Sequence, residues 1–212
     1  MKKLKIGRIF VILILLSLFI LISAISYVDA VSNNIADSIF RLHVIANSDS
    51  KEDQELKLKV RDELLSYMNI ISKDSKSKQE AMQIANEHKE EFTQIAEKVI
   101  KENGYNYTVN VQIGKADFPT KYYGDISLPS GIYDALRVKI GTASGQNWWC
   151  VMFPPLCFVD VSTGIVPDNS KQELKQSLDN EEYDLISKTD NNEISFKFKI
   201  VELFQNWRLG NK

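Results

Sequence analysis

The segment from Asn147 to Asp160, NWWCVMFPPLCFVD, constrains the fold more than any other part of the chain. It holds two tryptophans, two cysteines, two phenylalanines and a Pro-Pro pair, with one charged residue at its end. Large aromatic side chains each bury on the order of 150–250 Å², so the segment is either the centre of a core or a contact surface. Because proline donates no backbone hydrogen bond, we predict a strand at 148–151, an extended loop at 153–156 and a return strand at 157–161.

Cys150 and Cys157 flank the two prolines and are the two cysteines of the chain. Their spacing lacks the CxxC pattern of a redox motif or a zinc knuckle. A thiol nucleophile requires a histidine beside the sulfur, and the chain has two histidines. We therefore predict a structural role for the pair, as a disulfide or as two buried thiols.

The N-terminus carries an export signal. Residues 1–8 contain four basic residues and no acidic one, and a seventeen-residue run from Ile9 to Ile25 is almost entirely apolar. Val28-Asp29-Ala30 has the small residues of a cleavage site, while the run is close to the minimum length for a bilayer core of about 30 Å. We predict a signal peptide or membrane anchor at 1–30 and an extracytoplasmic domain at 31–212, with the basic end in the cytoplasm.

The charge of the exported part excludes one class of partner. Without the four cations of residues 1–8, 22 of the 26 basic residues stand against 28 acidic residues. A nucleic-acid-binding domain carries the opposite sign. We expect no nucleic-acid partner, and the chain contains none of the common nucleotide, dinucleotide, hydrolase or zinc-protease motifs.

Hydrophobic periodicity predicts the elements between these two segments. The pattern indicates a strand at 39–46, a helix capped by Ser50 with Asp53 returning the bond, and a second helix through 81–99 that carries His88 at its core or boundary. A strand at 105–113 follows, then a loop at 118–131, and a strand at 132–140 that forms a hairpin with the Trp148 strand. The remaining predictions are a short helix from Ser170 to 178, a strand at 194–200 and a helix at 201–207.

These elements predict an α+β fold. After the N-terminal signal or membrane helix comes a single domain, in which a helical hairpin packs on one face of a mainly antiparallel sheet. Since side chains alternate along a strand, the two adjacent tryptophans face opposite sides of this sheet. The predicted register places Trp149 toward the helices and leaves Trp148 as a contact residue.

Two polar stretches are candidate sites. Arg41, His43 and Asp49 lie on and after the first strand and would form a polar site at its end; alternatively, Arg41 and His43 face solvent and Asp49 holds the next helix N-terminus. In the loop at 118–131, a cation and two aromatic residues form a binding loop, or the tyrosines fold back on the sheet. These three residues are Lys121, Tyr122 and Tyr123.

Five motifs carry a resemblance to a known family. In chain order they are RLHVIANSDS, LKLKVRD, FPTK, ALRVKIG and NWWCVMFPPLCFVD. Together they resemble the stage II sporulation protein R family of endospore-forming bacteria, from about Arg41 to Asp160. The resemblance implies a signalling protein made in the forespore and exported into the space between the two membranes. There it would trigger a membrane-embedded aspartic protease of the mother cell, which removes the pro-sequence of the sigma-E precursor.

The resemblance implies no enzymatic activity, cofactor, metal or small-molecule substrate, and it supplies no catalytic residues. Two other functions stay open from the sequence. One is a cell-envelope hydrolase or thiol enzyme that uses His43 or Cys150. The other is a structural envelope protein anchored through residues 9–25.

Overall fold

The computed structural model describes residues 2–156, 166 and 168–187. The helices in this part of the chain are α1 (Lys2–Ser38), α2 (Lys51–Ile71), α3 (Lys78–Glu87), α4 (Lys89–Glu102), α5 (Asp168–Ser177) and α6 (Asn180–Ser187). The strands are β1 (Phe40–Ile45), β2 (Val109–Phe118), β3 (Lys121–Tyr123), β4 (Ile126–Leu128), β5 (Gly131–Ile140) and β6 (Asn147–Phe153). The strands predicted at 157–161 and 194–200 and the helix predicted at 201–207 lie outside the described residues.

The main sheet has the strand order β2-β5-β1-β6. β2 is antiparallel to β5 and β6 is antiparallel to β1, whereas β1 runs parallel to β5. The sheet is therefore mixed and mainly antiparallel, which confirms the predicted α+β class. A smaller sheet pairs β3 with β4, so the segment predicted as a loop contains a short hairpin.

The predicted hairpin between β5 and β6 is wrong, because β1 lies between these two strands. β1 is buried along almost its whole length, and a strand that is buried on both faces belongs in the centre of a sheet. The connection from β5 to β6 crosses the chain after β1, where Gly145 N donates to the carbonyl of Ala46 at 3.1 Å. A Cβ on Gly145 would collide with the Ser48 carbonyl, so glycine is required at this crossing.

One face of the sheet, here called the helical face, packs against α2, α3 and α4. Leu42 and Val44 of β1 join the alternate residues of the other strands in a single apolar core. The helices supply the rest of that core, from residues such as Leu56, Val60, Leu64, Phe92 and Ala96.

The start of α2 confirms one half of its predicted cap. The Ser50 side chain accepts a hydrogen bond from Asp53 N at 3.2 Å. Asp53 does not return the bond to Ser50, because its carboxylate accepts from Asn47 Nδ2 at 2.8 Å and from Ser48 Oγ at 2.5 Å. The carboxylate thus fastens the β1–α2 connection to the helix.

The helix predicted through 81–99 is broken at His88, where α3 ends and α4 begins. The backbone of His88 has φ −102° and ψ 21°, and its Nδ1 lies 2.8 Å from the Tyr67 hydroxyl. The side chain is half-buried at the boundary of the core. No glycine or proline marks the break in the sequence, so periodicity alone continues the helix through it.

The other face of the sheet, here called the second face, has its own smaller core. The end of α1, the β3–β4 hairpin, α5 and α6 cover part of it. α5 begins at Asp168, so Ser170 lies inside the helix and does not cap it. α6 was not predicted, although Asp179 and Glu182 exchange the reciprocal backbone bonds of a capping box, at 2.8 and 3.1 Å.

α1 is one continuous helix from Lys2 to Ser38. Its apolar part is long and apolar enough to cross a membrane and lies near the N-terminus, which fits a signal as well as an anchor. Its last turns belong to the domain: Ile35 and Ala36 are buried in the second core, and Lys78 Nζ donates to the Ala36 carbonyl at 3.2 Å.

β2 begins later and ends later than predicted. Its first residue, Val109, pairs with the last residue of β5, Ile140, and the pairing continues to Phe118. Tyr105 and Tyr107 precede the strand because β5 offers no partner beyond Ile140, and their rings stack with centroids 5.3 Å apart.

Candidate functional site

Alternation along β1 sends Arg41 and His43 to the second face while Leu42 and Val44 point to the helical face. Neither polar side chain faces solvent, since Arg41 is 0% exposed and His43 is 7% exposed. The alternative in which both side chains face solvent is therefore wrong. The reason is that the second face is not bare at this point, because the β3–β4 hairpin and the end of β2 cover it.

The Arg41 guanidinium packs against two aromatic rings, and no described carboxylate pairs with it. Its guanidinium carbon is 4.1 Å from the ring centre of Phe118 and 4.6 Å from that of Tyr133, where the electron-rich ring faces attract a cation. Arg41 Nη2 donates to the Tyr123 hydroxyl at 2.8 Å, and that hydroxyl donates to the Trp149 carbonyl at 3.2 Å. Nε and Nη1 are buried without a hydrogen-bond partner.

The charge of Arg41 is thus balanced by ring faces and a phenol. None of the described carboxylates forms an ion pair with it. Burial raises the pKa of Tyr123, and Arg41 opposes the rise. Burial also raises the pKa of Tyr133, whose hydroxyl donates to the Pro129 carbonyl at 2.6 Å. Both phenols stay protonated and act as hydrogen-bonding struts between the hairpin and the sheet.

His43 stacks on Trp149, with ring centroids 3.8 Å apart and an angle of 19° between the ring planes. Its Nε2 lies 2.7 Å from Asn147 Oδ1; an amide oxygen only accepts, so Nε2 carries the proton. Burial lowers the pKa of His43 to about 4, with the Asn147 bond opposing and the Arg137 charge adding to the shift. The ring is therefore neutral at physiological pH and aligned by an amide.

The β3–β4 hairpin brings two of its three candidate residues, Lys121 and Tyr123, to the same place. Lys121 Nζ lies 5.9 Å from the ring centre of Trp149, and burial, followed by the charge of Arg41, lowers the pKa of Lys121. Tyr122 is 54% exposed, while Tyr123 folds back onto Arg41. The tyrosine that folds back is thus Tyr123 alone, and binding by this loop stays a prediction.

Four of the predicted contact residues thus converge around one tryptophan that was assigned to the core. We call the group the Trp149 cluster, and its members are Arg41, His43, Lys121, Tyr123 and Trp149. The alternation of the two tryptophans is confirmed, but their predicted sides are exchanged. Trp148 pairs with Val44 and points to the helical face, and Trp149 pairs with His43 and points to the second face.

The exchange follows from the strand order. The register was predicted against β5, whereas β6 pairs with β1, whose own alternation places its apolar residues toward the helices. Trp148 is half-buried, and the guanidinium carbon of Arg61 on α2 lies 4.3 Å from its ring centre. With β1 as the neighbouring strand, the alternation of apolar and polar residues in FRLHVI would have placed Trp149 on the same face as Arg41 and His43.

Asp49 and Trp148 lie away from the cluster. Asp49 Oδ1 accepts a hydrogen bond from Gln146 N at 2.7 Å, so it ties the connection before α2 to the start of β6. Its role is structural in this arrangement. Contact with a partner at any of the seven candidate residues stays a prediction.

Cys150 lies on the helical face, opposite Leu42 of β1. It is buried and disulfide-bonded. His43 points to the other face of the sheet, so these two residues do not form a thiol–imidazole pair. Cys157 lies outside the described residues, and the pairing of Cys150 with Cys157 stays a prediction. Among the described residues, no group of three or more His, Cys, Asp and Glu side chains is placed to hold a metal ion.

Comparison with known proteins agrees with the motifs. The model of the stage II sporulation protein R family matches residues 36–163, which is more than half of the chain. The chain belongs to this family. A curated relative, stage II sporulation protein R of Bacillus subtilis (strain 168), is 41% identical over 130 residues, which cover 61% of this chain and 58% of the relative. The chain thus spans a little over half the length of that relative. No solved structure matches the chain.

The range matched by the stage II sporulation protein R family contains the whole sheet and the whole Trp149 cluster. It also contains both cysteines and the last turn of α1. The apolar part of α1 and the helices α5 and α6 lie outside it. The residues that bring the cluster together therefore all belong to the family's part of the chain.

Proposed function

We propose that this chain is an exported sporulation signal that activates the membrane-embedded aspartic protease of the mother cell, which processes the sigma-E precursor. Membership of the stage II sporulation protein R family carries the proposal. The basic N-terminus followed by an apolar helix supports delivery across the forespore membrane. In this function the domain acts by contact from the intermembrane space and catalyses no reaction itself.

The Trp149 cluster is the contact surface that we propose for the protease. Lys121 and the half-buried Trp149 reach the surface there, and we add to them the exposed Tyr122 on the other side of β3. Tryptophan and tyrosine supply much of the binding energy in protein interfaces. Underneath, Tyr123 links Arg41 to the Trp149 carbonyl. This support holds the hairpin in place before binding, so that less conformational entropy is lost when the partner docks.

Two substitutions of exposed apolar residues test the contact surface. Tyr122→Ala removes a side chain that is 54% exposed on β3, next to the cluster, and Ile70→Ala removes one that is 71% exposed on α2. In sporulating cells, immunoblots of the sigma-E precursor should show processing reduced at least tenfold with Tyr122→Ala. Ile70→Ala should process at the wild-type rate. Normal processing with Tyr122→Ala would reject the surface, and normal processing in cells without the chain would reject the function.

A second experiment tests whether the domain acts without its membrane segment. The residues packed on the second core begin at Val31, so replacing residues 1–30 with an unrelated cleavable signal keeps every docked residue. Sigma-E maturation should then persist. Loss of maturation while the secreted domain accumulates would show that the anchor itself is needed, as for a structural envelope protein.

The hydrolase or thiol alternative gains no support from the site. His43 is neutral, hydrogen-bonded to an amide and stacked under Trp149, and a general base near neutral pH requires a pKa close to 7. Cys150 is held in a disulfide on the opposite face. A His43→Gln protein that is folded and supports processing would agree with the signalling function.

A further inference from the structure

A cleft of about 270 Å³ lies beside Gly114, in the middle of the edge strand β2. It is separate from the Trp149 cluster, and none of the described residues that line it is acidic. Three cations do: Lys89 from the start of α4, Lys115 from β2 and Arg137 from β5. The cleft therefore combines a strand edge with a positive lining.

The fold itself does not account for the glycine at position 114. A Cβ built there meets nothing within 4 Å, and its φ lies outside the left-handed region. Glycine inside a strand weakens it, and such a residue often marks a place where a ligand or another backbone approaches closely. No group of the described residues makes that approach, which leaves the position open to a group from another molecule.

Two of the three cations are uncompensated. Lys115 Nζ lies 3.1 Å from Asp134, whereas neither Lys89 nor Arg137 forms an ion pair with a described carboxylate. Arg137 Nη2 donates to Gln112 Oε1 at 2.6 Å, which holds the guanidinium in place. Its Nε is buried without a hydrogen-bond partner. A carboxylate at this point would accept from Nε and be attracted by Lys89.

The backbone of β2 offers a second set of contacts. Among the described strands, this ten-residue strand pairs with β5 and with no other. Its outer N–H and C=O groups can accept an added strand, a common mode of peptide recognition. A membrane surface offers no such partner for a strand edge, so the combination of edge and cations favours an extended peptide.

We propose that the Gly114 cleft binds an extended acidic segment of the partner protein, which adds to the sheet beside β2 and places a carboxylate between Lys89 and Arg137. The proposal rests on the proposed function and names the chemistry of its partner. Arg137 is paired with His43 across β5 and β1, so the cleft and the Trp149 cluster share the second face. β2 runs from the cleft to Phe118, whose ring centroid lies 4.9 Å from that of Trp149. A segment bound along β2 would therefore approach the cluster at that end.

Two peptides test the chemistry directly on the full chain in detergent micelles. One has the sequence Val-Thr-Glu-Val-Thr with blocked ends, and the other replaces Glu with Gln. In ¹⁵N-correlated NMR spectra, the Glu peptide should shift the Gly114 amide and the Arg137 Nε–H signals and bind at least tenfold tighter than the Gln peptide. Equal binding of both peptides, or shifts that miss these two signals, would overturn the proposal. So would equal shifts with phosphatidylglycerol vesicles, which would assign the cleft to a lipid surface.

Matched variants test the cleft in cells. Gly114→Val fills it, and Asn110→Val places the same side chain on the same face of the same strand outside the cleft. Lys89→Glu reverses a charge that lines the cleft at the start of α4. Its control, Lys101→Glu, reverses a charge at the end of the same helix, outside the cleft. We expect unchanged melting temperatures for Gly114→Val and Lys89→Glu, at least a tenfold loss of sigma-E processing with both, and normal processing with the two controls.

These outcomes separate the cleft from the proposed function. Wild-type processing with Gly114→Val and Lys89→Glu, together with loss in the Tyr122→Ala protein, would overturn the cleft and leave the function. Should Gly114→Val unfold, Lys89→Glu alone decides, since an acidic residue in the first turn of a helix does not destabilise it. Normal processing without the chain would overturn both proposals.

Discussion

The two faces of the central sheet are built on opposite principles. On the helical face, β1 contributes Leu42 and Val44 to a continuous apolar core under α2, α3 and α4. On the second face, the same strand contributes Arg41 and His43, which are buried with hydrogen-bonding atoms left unsatisfied. One face of β1 thus stabilises the fold through apolar burial, while the other face holds polar groups whose burial is unfavourable.

The contrast is energetic. Apolar burial contributes about 25 cal/mol per Å², whereas a buried donor or acceptor without a partner costs roughly 1–3 kcal/mol, and more for a charged group. Arg41 Nε and Nη1, His43 Nδ1 and Arg137 Nε are such atoms on the second face. Buried polar groups without partners destabilise the fold and are therefore candidates for function. The Trp149 cluster and the Gly114 cleft share this property, since each contains such a group.

The largest expected effect comes from two neighbouring residues of β1 that face opposite sides. Leu42→Ala should lower the free energy of unfolding by about 2–5 kcal/mol, because it leaves a cavity in the helical core. Arg41→Met should change it by less than about 1.5 kcal/mol or increase it, since an apolar side chain relieves an unpaired buried charge. Urea unfolding followed by circular dichroism measures both. Equal losses would show that the two faces do not differ in this way.

Reduction of the Cys150 disulfide should have the next largest effect, because this bond reinforces the helical face. If it closes the predicted eight-residue segment to Cys157, reduction should lower the free energy of unfolding by about 2–3 kcal/mol through the entropy gained by the unfolded chain. Mass spectrometry of the unreduced and reduced protein checks the pairing, and thermal melts with and without reductant check the loss. Free thiols in both the unreduced and the reduced protein would contradict the predicted disulfide.

The second face should give the domain a pH dependence through His43. Its pKa is lowered to about 4 in the folded protein and is about 6.5 in an unfolded chain. The unfolded state therefore binds more protons between these values, so the contribution is complete above pH 6.5 and is lost as the pH falls toward 4. Between pH 7 and pH 5 the loss from this group should be about 2 kcal/mol.

His43→Gln should remove that part of the pH dependence and keep a polar side chain near Asn147. Urea unfolding of both proteins at pH 7 and pH 5 isolates the contribution, because the carboxylates titrate alike in the two. If the variant loses as much stability as the wild type over this range, His43 contributes nothing to the pH dependence. The folded protein would then tolerate the protonated histidine, contrary to its burial under Trp149.

The smallest expected effect lies at the surface. Tyr122→Ala and Ile70→Ala remove exposed side chains near different faces, and each should change the free energy of unfolding by less than about 0.5 kcal/mol. Thermal melts check this result. Equal stability in the two variants ensures that the difference expected in sigma-E processing comes from contact and has no folding component; a destabilised Tyr122→Ala would place this residue in the support of the hairpin.

The sequence predicted local features and missed long-range ones. The strands at β1 and β5, the Ser50 cap and the opposite faces of Trp148 and Trp149 all follow from alternation and capping, which depend on neighbours in the chain. The insertion of β1 between β5 and β6 depends on a pairing across about a hundred residues, which no local pattern encodes. The exchange of the two tryptophans followed directly from that one error.

The candidate site was found in part for the same reason. Polar residues on β1 and in the β3–β4 hairpin stand out by their chemistry, so Arg41, His43 and Lys121 could be named from the sequence. Their meeting at Trp149 is a property of the strand order. The break at His88 was missed for a different reason, because it is stabilised by the Tyr67 hydroxyl and carries no glycine or proline.

The continuity of α1 fixes how far the domain can lie from the apolar run. Val31, the first residue packed on the second core, is six positions after Ile25, the end of that run, which is about 9 Å of helix at 1.5 Å per residue. With no tether in between, an uncleaved molecule would carry its domain directly above its own membrane, within range of partners across a narrow gap. Cleavage after Ala30 would leave the docked turns in place and free the domain to diffuse. The distance over which the domain can act would then depend on whether the peptide bond after Ala30 is cleaved.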